Sequence, residues 1–445
     1  MSIILLKARR LQSAQIILLG FAAIILTGAL LLMLPISSRA DYPVSFLDAL
    51  FTATSATCVT GLVVYDTASC WTAFGQGVIL VLIQTGGLGV VTIAVLLSLL
   101  SGKKIGLMQR STMQDSISAP RVQGIIRLTR FILVCTVLLE LLGAALLLPS
   151  FVRVFGVRRG LWYALFHSVS GFCNAGFDLM GIREQYSSLT AFSGDAAVNI
   201  AVMLLIIIGG LGFITWKDIA ERGLRVRAYG LQSKAVLSTT ALLLFLPFLY
   251  FYFCEFRGLP GNSRFWLSAF QAVTPRTAGY NTADYSVMSD SGVALTILLM
   301  LIGGAPGSTA GGMKVTTLMV LIASAASVFR QRKDTVLYGR RVSDSGVRDA
   351  AAVLLMYLTL FLAGAFLISG IEAAPLKQCL FETASAIGTV GLSMGLTPTL
   401  SLWSRLVLIF LMYLGRVGGL TLIFAAVKKT SNGNGRMPEE AITVG

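Results

Sequence analysis

Charge is scarce in this chain. Only 12% of its 445 residues are Asp, Glu, Lys or Arg, about half the share that a soluble domain carries. That deficit excludes a soluble globular surface of this size, and with it soluble nucleic-acid binding. Histidine is nearly absent: His167 stands alone, which removes most zinc and general-base chemistry. The six cysteines (Cys58, Cys70, Cys135, Cys173, Cys254, Cys379) lie more than ten residues apart with no C-x-x-C spacing, so neither a metal cage nor a disulfide framework is indicated. No G-x-G-x-x-G or complete Walker motif occurs, so no nucleotide cofactor is expected on this chain. The segment Gly307-x4-Gly312-Met313-Lys314 has methionine where a phosphate loop has lysine, and no Ser or Thr follows.

Apolar residues and glycine are abundant instead. The chain is 56% hydrophobic with a mean hydropathy of +0.81, and it contains 45 glycines. Apolar stretches long enough to cross a bilayer occur near 12–34, 74–100, 128–149, 196–216, 235–253, 293–325, 350–369 and 404–427. About twenty residues suffice for one span, so the reading is an all-α membrane protein with eight spanning helices. The run Ile16 to Leu34 follows Lys7, Arg9 and Arg10 as in a signal peptide. It exceeds the 7–15 residues of a signal core and is read as a retained first span. The stretch at 293–325 is interrupted by Gly303-Gly304-Ala305-Pro306-Gly307-Ser308-Thr309-Ala310-Gly311-Gly312-Met313-Lys314, which cannot remain regular helix.

Four gaps between the spans echo one another. They carry Phe51 and Gly61, Phe166 and Gly176, Phe270 and Gly279, and Phe381 and Gly391, with the phenylalanine 10, 10, 9 and 10 residues ahead of the glycine. A large apolar or aromatic residue follows each glycine. Downstream, Gly86-Gly87-Leu88-Gly89 matches Gly209-Gly210-Leu211-Gly212, and Gly415-Arg416-Val417-Gly418-Gly419-Leu420-Thr421 falls in the corresponding place. The expected architecture is four pseudo-symmetric repeats of helix, re-entrant pore helix, filter loop and helix around one central pore. The repeats occupy 1–102, 103–216, 217–329 and 330–429, followed by a cytoplasmic tail at 430–445.

The net charge of +15 becomes an orientation signal. One side of the expected topology holds 23 of the 35 basic residues against 8 acidic ones; the other holds 9 basic against 11 acidic, Glu382 and Asp48 among them. Basic loops stay in the cytoplasm, which puts both termini inside and lets the four glycine loops dip in from outside. A broken backbone at membrane depth survives only against protein or a watery cavity. Four glycine loops around one axis can present rings of carbonyl oxygens that replace a cation's hydration shell. The candidate ring residues are Val59, Thr60 and Gly61; Asn174, Ala175 and Gly176; Thr277, Ala278 and Gly279; and Thr389, Val390 and Gly391. Neutral ligands suit a weakly hydrated monovalent ion such as K⁺, whereas Mg²⁺ usually requires carboxylates.

These four loops, the interrupted segment 303–314 and the pattern around Arg416 resemble the Trk/Ktr/HKT superfamily of potassium transporters, most closely its bacterial KtrB branch. The resemblance implies that Gly61, Gly176, Gly279 and Gly391 bind K⁺ as a selectivity filter. It also implies an intramembrane gate built from Gly303, Gly304, Ala305, Pro306, Gly307, Ser308, Thr309, Ala310, Gly311 and Gly312, with Lys314 and Arg416 beside it. Glycine at position 61, where Na⁺-transporting relatives carry serine, favours K⁺. A homodimer in the bacterial plasma membrane is implied, seated on a cytosolic KtrA-like ring that binds ATP or ADP.

Several residues admit two readings. Gly86-Gly87 and Gly209-Gly210 either let helices pack closely or line the pore. Lys314 either snorkels to the cytoplasmic face or joins Arg416 as an electrostatic brake. Loop carbonyls freed by the break would satisfy the Arg416 donors. His167 is read as a packing or hydrogen-bonding residue, Glu140 as paired with a hydroxyl or a basic residue, and Arg276 as a prop behind the third loop. The competing class is a cation-coupled secondary transporter, a Na⁺/K⁺ symporter with discontinuous helices. An intramembrane enzyme would need a nucleophile–base pair or paired carboxylates that the sequence does not offer.

Overall fold

The computed structural model describes residues 12–93, 106–117, 123–182 and 184–419. Lys7, Arg9, Arg10, Arg183, Leu420, Thr421, the tail 430–445 and the ends of the stretches 74–100 and 404–427 lie outside these. Among the described residues, fifteen helices of ten or more residues carry the architecture: α1 Ser13–Leu32, α2 Phe46–Thr57, α3 Ala73–Leu88, α4 Leu107–Ser116, α5 Ile125–Phe155, α6 Val157–Phe172, α7 Ala196–Gly210, α8 Phe213–Arg222, α9 Leu231–Tyr250, α10 Gly261–Val273, α11 Asp290–Leu301, α12 Val315–Phe329, α13 Asp344–Glu372, α14 Leu376–Gly388 and α15 Leu402–Val417. A two-stranded hairpin, β1 Val336–Leu337 and β2 Arg340–Arg341, follows α12.

Helix starts follow the local chemistry. Ser45 caps α2 in a reciprocal pair with Asp48, and Thr72, Asp195, Ser289 and Ser343 accept first-turn N–H groups of α3, α7, α11 and α13. Among the described residues, α1, α5, α9 with its π-helical extension Phe251–Glu255, and α13 are long and apolar enough to cross a membrane. The pair α7 and α8 qualifies jointly but bends by 97°. Their outward faces carry exposed Leu, Val and Phe side chains, such as Val134, Leu138 and Leu142 on α5, as a lipid-facing surface requires.

The helices that fall short of a span are cut by glycine. Gly89 after α3, Gly212 between α7 and α8, and Gly418 after α15 share one conformation, φ 84–88° with ψ 137–143°. A side chain is strained there, so a glycine at this register lets each helix end in the same backbone state. The 293–325 stretch is likewise two helices, α11 and α12, separated by the loop 302–314.

Candidate functional site

The short helices α2, α6, α10 and α14 each stop a few residues before one of the four repeated glycines. Those glycines form a closed ring. A Cβ on Gly61 would lie 2.5 Å from the Ala175 carbonyl oxygen, one on Gly176 2.7 Å from Ala278 O, one on Gly279 2.4 Å from Val390 O, and one on Gly391 2.2 Å from Thr60 O. Each loop therefore packs its glycine against the next loop's backbone, and the fourth returns to the first. A side chain at any of the four points would have to displace the neighbouring backbone.

The ring residues share an unusual backbone. Gly61, Gly176, Gly279 and Gly391 have φ of +92°, +69°, +80° and +95°. Two positions earlier, Val59, Asn174, Thr277 and Thr389 are also left-handed, with φ between +52° and +63°. Such conformations are costly for residues with a Cβ and cluster where a site over-determines them. All twelve sequence-identified ring residues are thus brought together. Asn174 Nδ2 ties the second loop to the third through Arg276 O at 3.2 Å and Thr277 Oγ1 at 3.3 Å.

A cavity of about 550 Å³ opens on one side of the ring, lined by all four glycines and by Asp66, Asp178, Glu184 and Asp284. Asp66 anchors its rim, accepting from Ala68 N, Ser69 N and Tyr186 N. Asp178 lies in the loop leaving the ring, outside the spanning helices. Enclosure by protein and, secondarily, the Asp66 carboxylate push its carboxyl up to about 7, against a hydrogen bond from Met180 N–H.

The loop 302–314 packs against the ring loops. Thr309 Oγ1 donates to Phe172 O at 3.0 Å, at the end of α6, and to Asn174 Oδ1 at 3.4 Å. A Cβ on Gly311 would strike Thr389 Oγ1 at 2.1 Å. The loop's backbone is stitched to helix ends: Ala305 N to Gly210 O, Phe213 N to Gly307 O and Gly312 N to Gly415 O at 2.7–3.1 Å. Arg416 donates to Thr309 O within the loop and to Gly86 O and Gly87 O at the end of α3, the latter two at 2.5 and 3.1 Å. Lys314 Nζ donates to Ala310 O at 2.8 Å and Gly311 O at 3.2 Å. Both cations border a second cavity of about 290 Å³. Lys314 therefore binds the loop's own carbonyls rather than reaching away from it.

The remaining open readings resolve individually. Gly86 and Gly209 would place a Cβ 1.9 Å from Thr57 O and 2.1 Å from Phe172 O, so they serve close packing against α2 and α6. Gly87 lines the second cavity. His167 is fully buried, bonded to Tyr163 O through Nδ1 at 2.7 Å and accepting from Leu179 N through Nε2. Arg276 extends to Thr240 on α9 at 3.4 Å. Glu140 is buried on α5, and its Oε1 has no hydrogen-bond partner among the described residues. Glu382 and Asp48, counted above among the acids of the outer side, are both held inside the protein. Glu382 is fully buried on α14, accepting from Ser393 Oγ, Thr397 Oγ1 and Met394 N. Asp48, 4% exposed, pairs with Arg405 at 2.6 Å and joins α2 to α15. Sequence periodicity signals neither, because both partners lie in other segments.

The TrkH family, described as cation transport protein, matches residues 12–435. The chain is 42% identical to the potassium/sodium uptake protein NtpJ of Enterococcus hirae, over 98% of each chain. It is 40% identical to the Ktr system potassium uptake protein B of Bacillus subtilis, over 99% of this chain and 98% of the relative. The solved structure of the potassium transporter TrkH from Vibrio parahaemolyticus superposes with a TM-score of 0.74 over 95% of this chain and 86% of that one, at 20% identity, so the fold is shared. The chain belongs to the TrkH family of cation transport proteins and is a helical integral membrane protein.

Proposed function

We propose that this chain is a K⁺ uptake subunit in which ions pass channel-like through the ring of Gly61, Gly176, Gly279 and Gly391. The observation that carries the reading is the closure of that ring by four backbones with no side chain at the axis. Neutral carbonyls in a rigid ring suit a monovalent cation that sheds water readily. The carboxylates lining the outer cavity raise the local cation concentration at the entrance. The names of the relatives, with potassium uptake in each, support the same ion.

The loop 302–314 is the gate, held shut beneath the ring by Thr309, Lys314 and Arg416. Opening requires these contacts to be exchanged together, which favours an external trigger over spontaneous fraying. A cytosolic ring of nucleotide-binding subunits supplies that trigger, and the chain works as a homodimer in the bacterial plasma membrane with both termini inside. The basic loops 217–234 and 330–348 form the docking side. The test is growth of a cell lacking K⁺ uptake systems at low external K⁺. Restored growth, stronger when a regulatory partner is supplied, is expected; no restoration with either would contradict the reading.

A further inference from the structure

The four short helices share a second feature besides the phenylalanine and the glycine. Four residues after Phe51, Phe166, Phe270 and Phe381 stands a hydroxyl residue: Ser55, Ser170, Thr274 and Ser385. All four are fully buried. Each backbone carbonyl accepts the N–H of the residue just before the ring glycine: Thr60, Ala175, Ala278 and Val390, at 2.8–3.1 Å. Their side chains then act on the ring in two ways. Ser55 Oγ accepts from Gly61 N at 3.0 Å and Ser385 Oγ from Gly391 N at 2.9 Å. Ser170 Oγ donates to Phe177 O at 2.8 Å, and Thr274 Oγ1 donates to Tyr280 O.

Peptide planarity gives these bonds a directional consequence. In a trans peptide the N–H and C=O of one unit point in opposite directions. Holding Gly61 N–H and Gly391 N–H back against the helices therefore turns Thr60 C=O and Val390 C=O away from them, toward the neighbouring loops. Those two oxygens are the ones that lie closest to the Gly391 and Gly279 positions. Ser170 and Thr274 instead hold back the carbonyl one residue past the glycine, so that the inward-facing column ends at the glycine in those quarters.

We propose that Ser55, Ser170, Thr274 and Ser385 are positioning residues that set ion selectivity by fixing the peptide planes of the ring. This rests on the K⁺ reading above. Loss of the Ser55 or Ser385 oxygen leaves a buried glycine N–H without an acceptor and frees its peptide to rotate. Transport then continues through a ring with looser walls, which tells K⁺ from Na⁺ less well.

The experiment measures K⁺ and Na⁺ flux in vesicles holding the purified full chain, with Ser55→Ala, Ser385→Ala, Ser55→Thr and Thr54→Val. Thr54 is the control, since its hydroxyl bonds only Leu50 O within its own helix at 2.7 Å. The alanine variants are expected to lose about tenfold in K⁺ over Na⁺ preference, about 1.4 kcal/mol. Ser55→Thr, which keeps the oxygen, should stay near wild type, as should Thr54→Val. Should the alanine variants fail to fold, Ser55→Cys and Ser385→Cys, with their weak acceptor, should show the same direction of loss. Wild-type preference in the folded Ala or Cys variants, or an equal loss in Thr54→Val, would overturn the proposal while leaving the K⁺ reading intact. A wild-type chain with no K⁺ preference would overturn that reading itself.

Discussion

Replacing Gly391 by alanine probes the ring where it is tightest. The added Cβ would lie 2.2 Å from Thr60 O, about 0.8 Å inside the 3.0 Å below which such contacts essentially do not occur. The obstacle is backbone, so it cannot rotate aside as a side-chain end could. Alanine at φ +95° adds about 1–2 kcal/mol of strain. Both effects are relieved by moving Thr60 or Val390, the two residues whose carbonyls face the ring there. A change of about 1–3 kcal/mol in relative ion binding corresponds to about 5–150-fold in selectivity. Gly176→Ala meets its nearest carbonyl at 2.7 Å and is the mildest of the four by this measure. Flux ratios for K⁺ and Na⁺ in reconstituted vesicles, on protein that runs as a single species, should fall further in Gly391→Ala than in Gly176→Ala. Unchanged selectivity in Gly391→Ala, or the reverse order, would refute the ring as the selective element.

The other expectations concern the surroundings of the ring. Gly61→Ser, with its Cβ 2.5 Å from Ala175 O, should relax K⁺ preference while uptake persists, read as competition by Na⁺ for K⁺ flux. Arg416→Ala removes the link between Thr309 and the end of α3, so basal flux without a regulatory partner should rise several-fold; unaltered basal flux would count against a gate at 302–314. The raised Asp178 carboxyl is neutral below about pH 7 and charged above it, so acidifying the outside from about pH 8 to about pH 6 removes a negative charge from the mouth. Uptake at sub-saturating K⁺ should fall over that window, and Asp178→Asn should flatten the profile. By the same sign, Asp178 makes the fold less stable as pH rises through 7. Arg405→Gln strands the Asp48 carboxylate and should destabilise the protein by about 3 kcal/mol, the low end for a broken buried pair because Arg405 is partly exposed, read as a lower thermal midpoint in detergent.

The parts of this site legible in the sequence are those written four times. Phe-to-glycine spacing repeats because each short helix must deliver its loop to one axis, and the loop 302–314 shows itself because glycine and proline interrupt an apolar run. Apolar length does not show where the helices break, since Gly89, Gly212 and Gly418 end helices inside otherwise continuous apolar stretches. The left-handed φ of Val59, Asn174, Thr277 and Thr389 leaves no trace, because four unrelated side chains occupy the same backbone state. Contacts between distant segments are equally silent. Arg416 reaches Gly86, 330 residues away, and Arg405 reaches Asp48, 357 residues away. Nothing in the sequence shows that Ser393 and Thr397 bond the Glu382 carboxylate.

The account stands most directly on the membrane potential of vesicles that contain only this chain, with K⁺ inside and Na⁺ outside. If the glycine ring is a K⁺-selective path, the potential should follow the K⁺ gradient, and Arg416→Ala should make it do so faster. A potential insensitive to the K⁺ gradient, or K⁺ movement that occurs only with Na⁺ in fixed proportion, would contradict it.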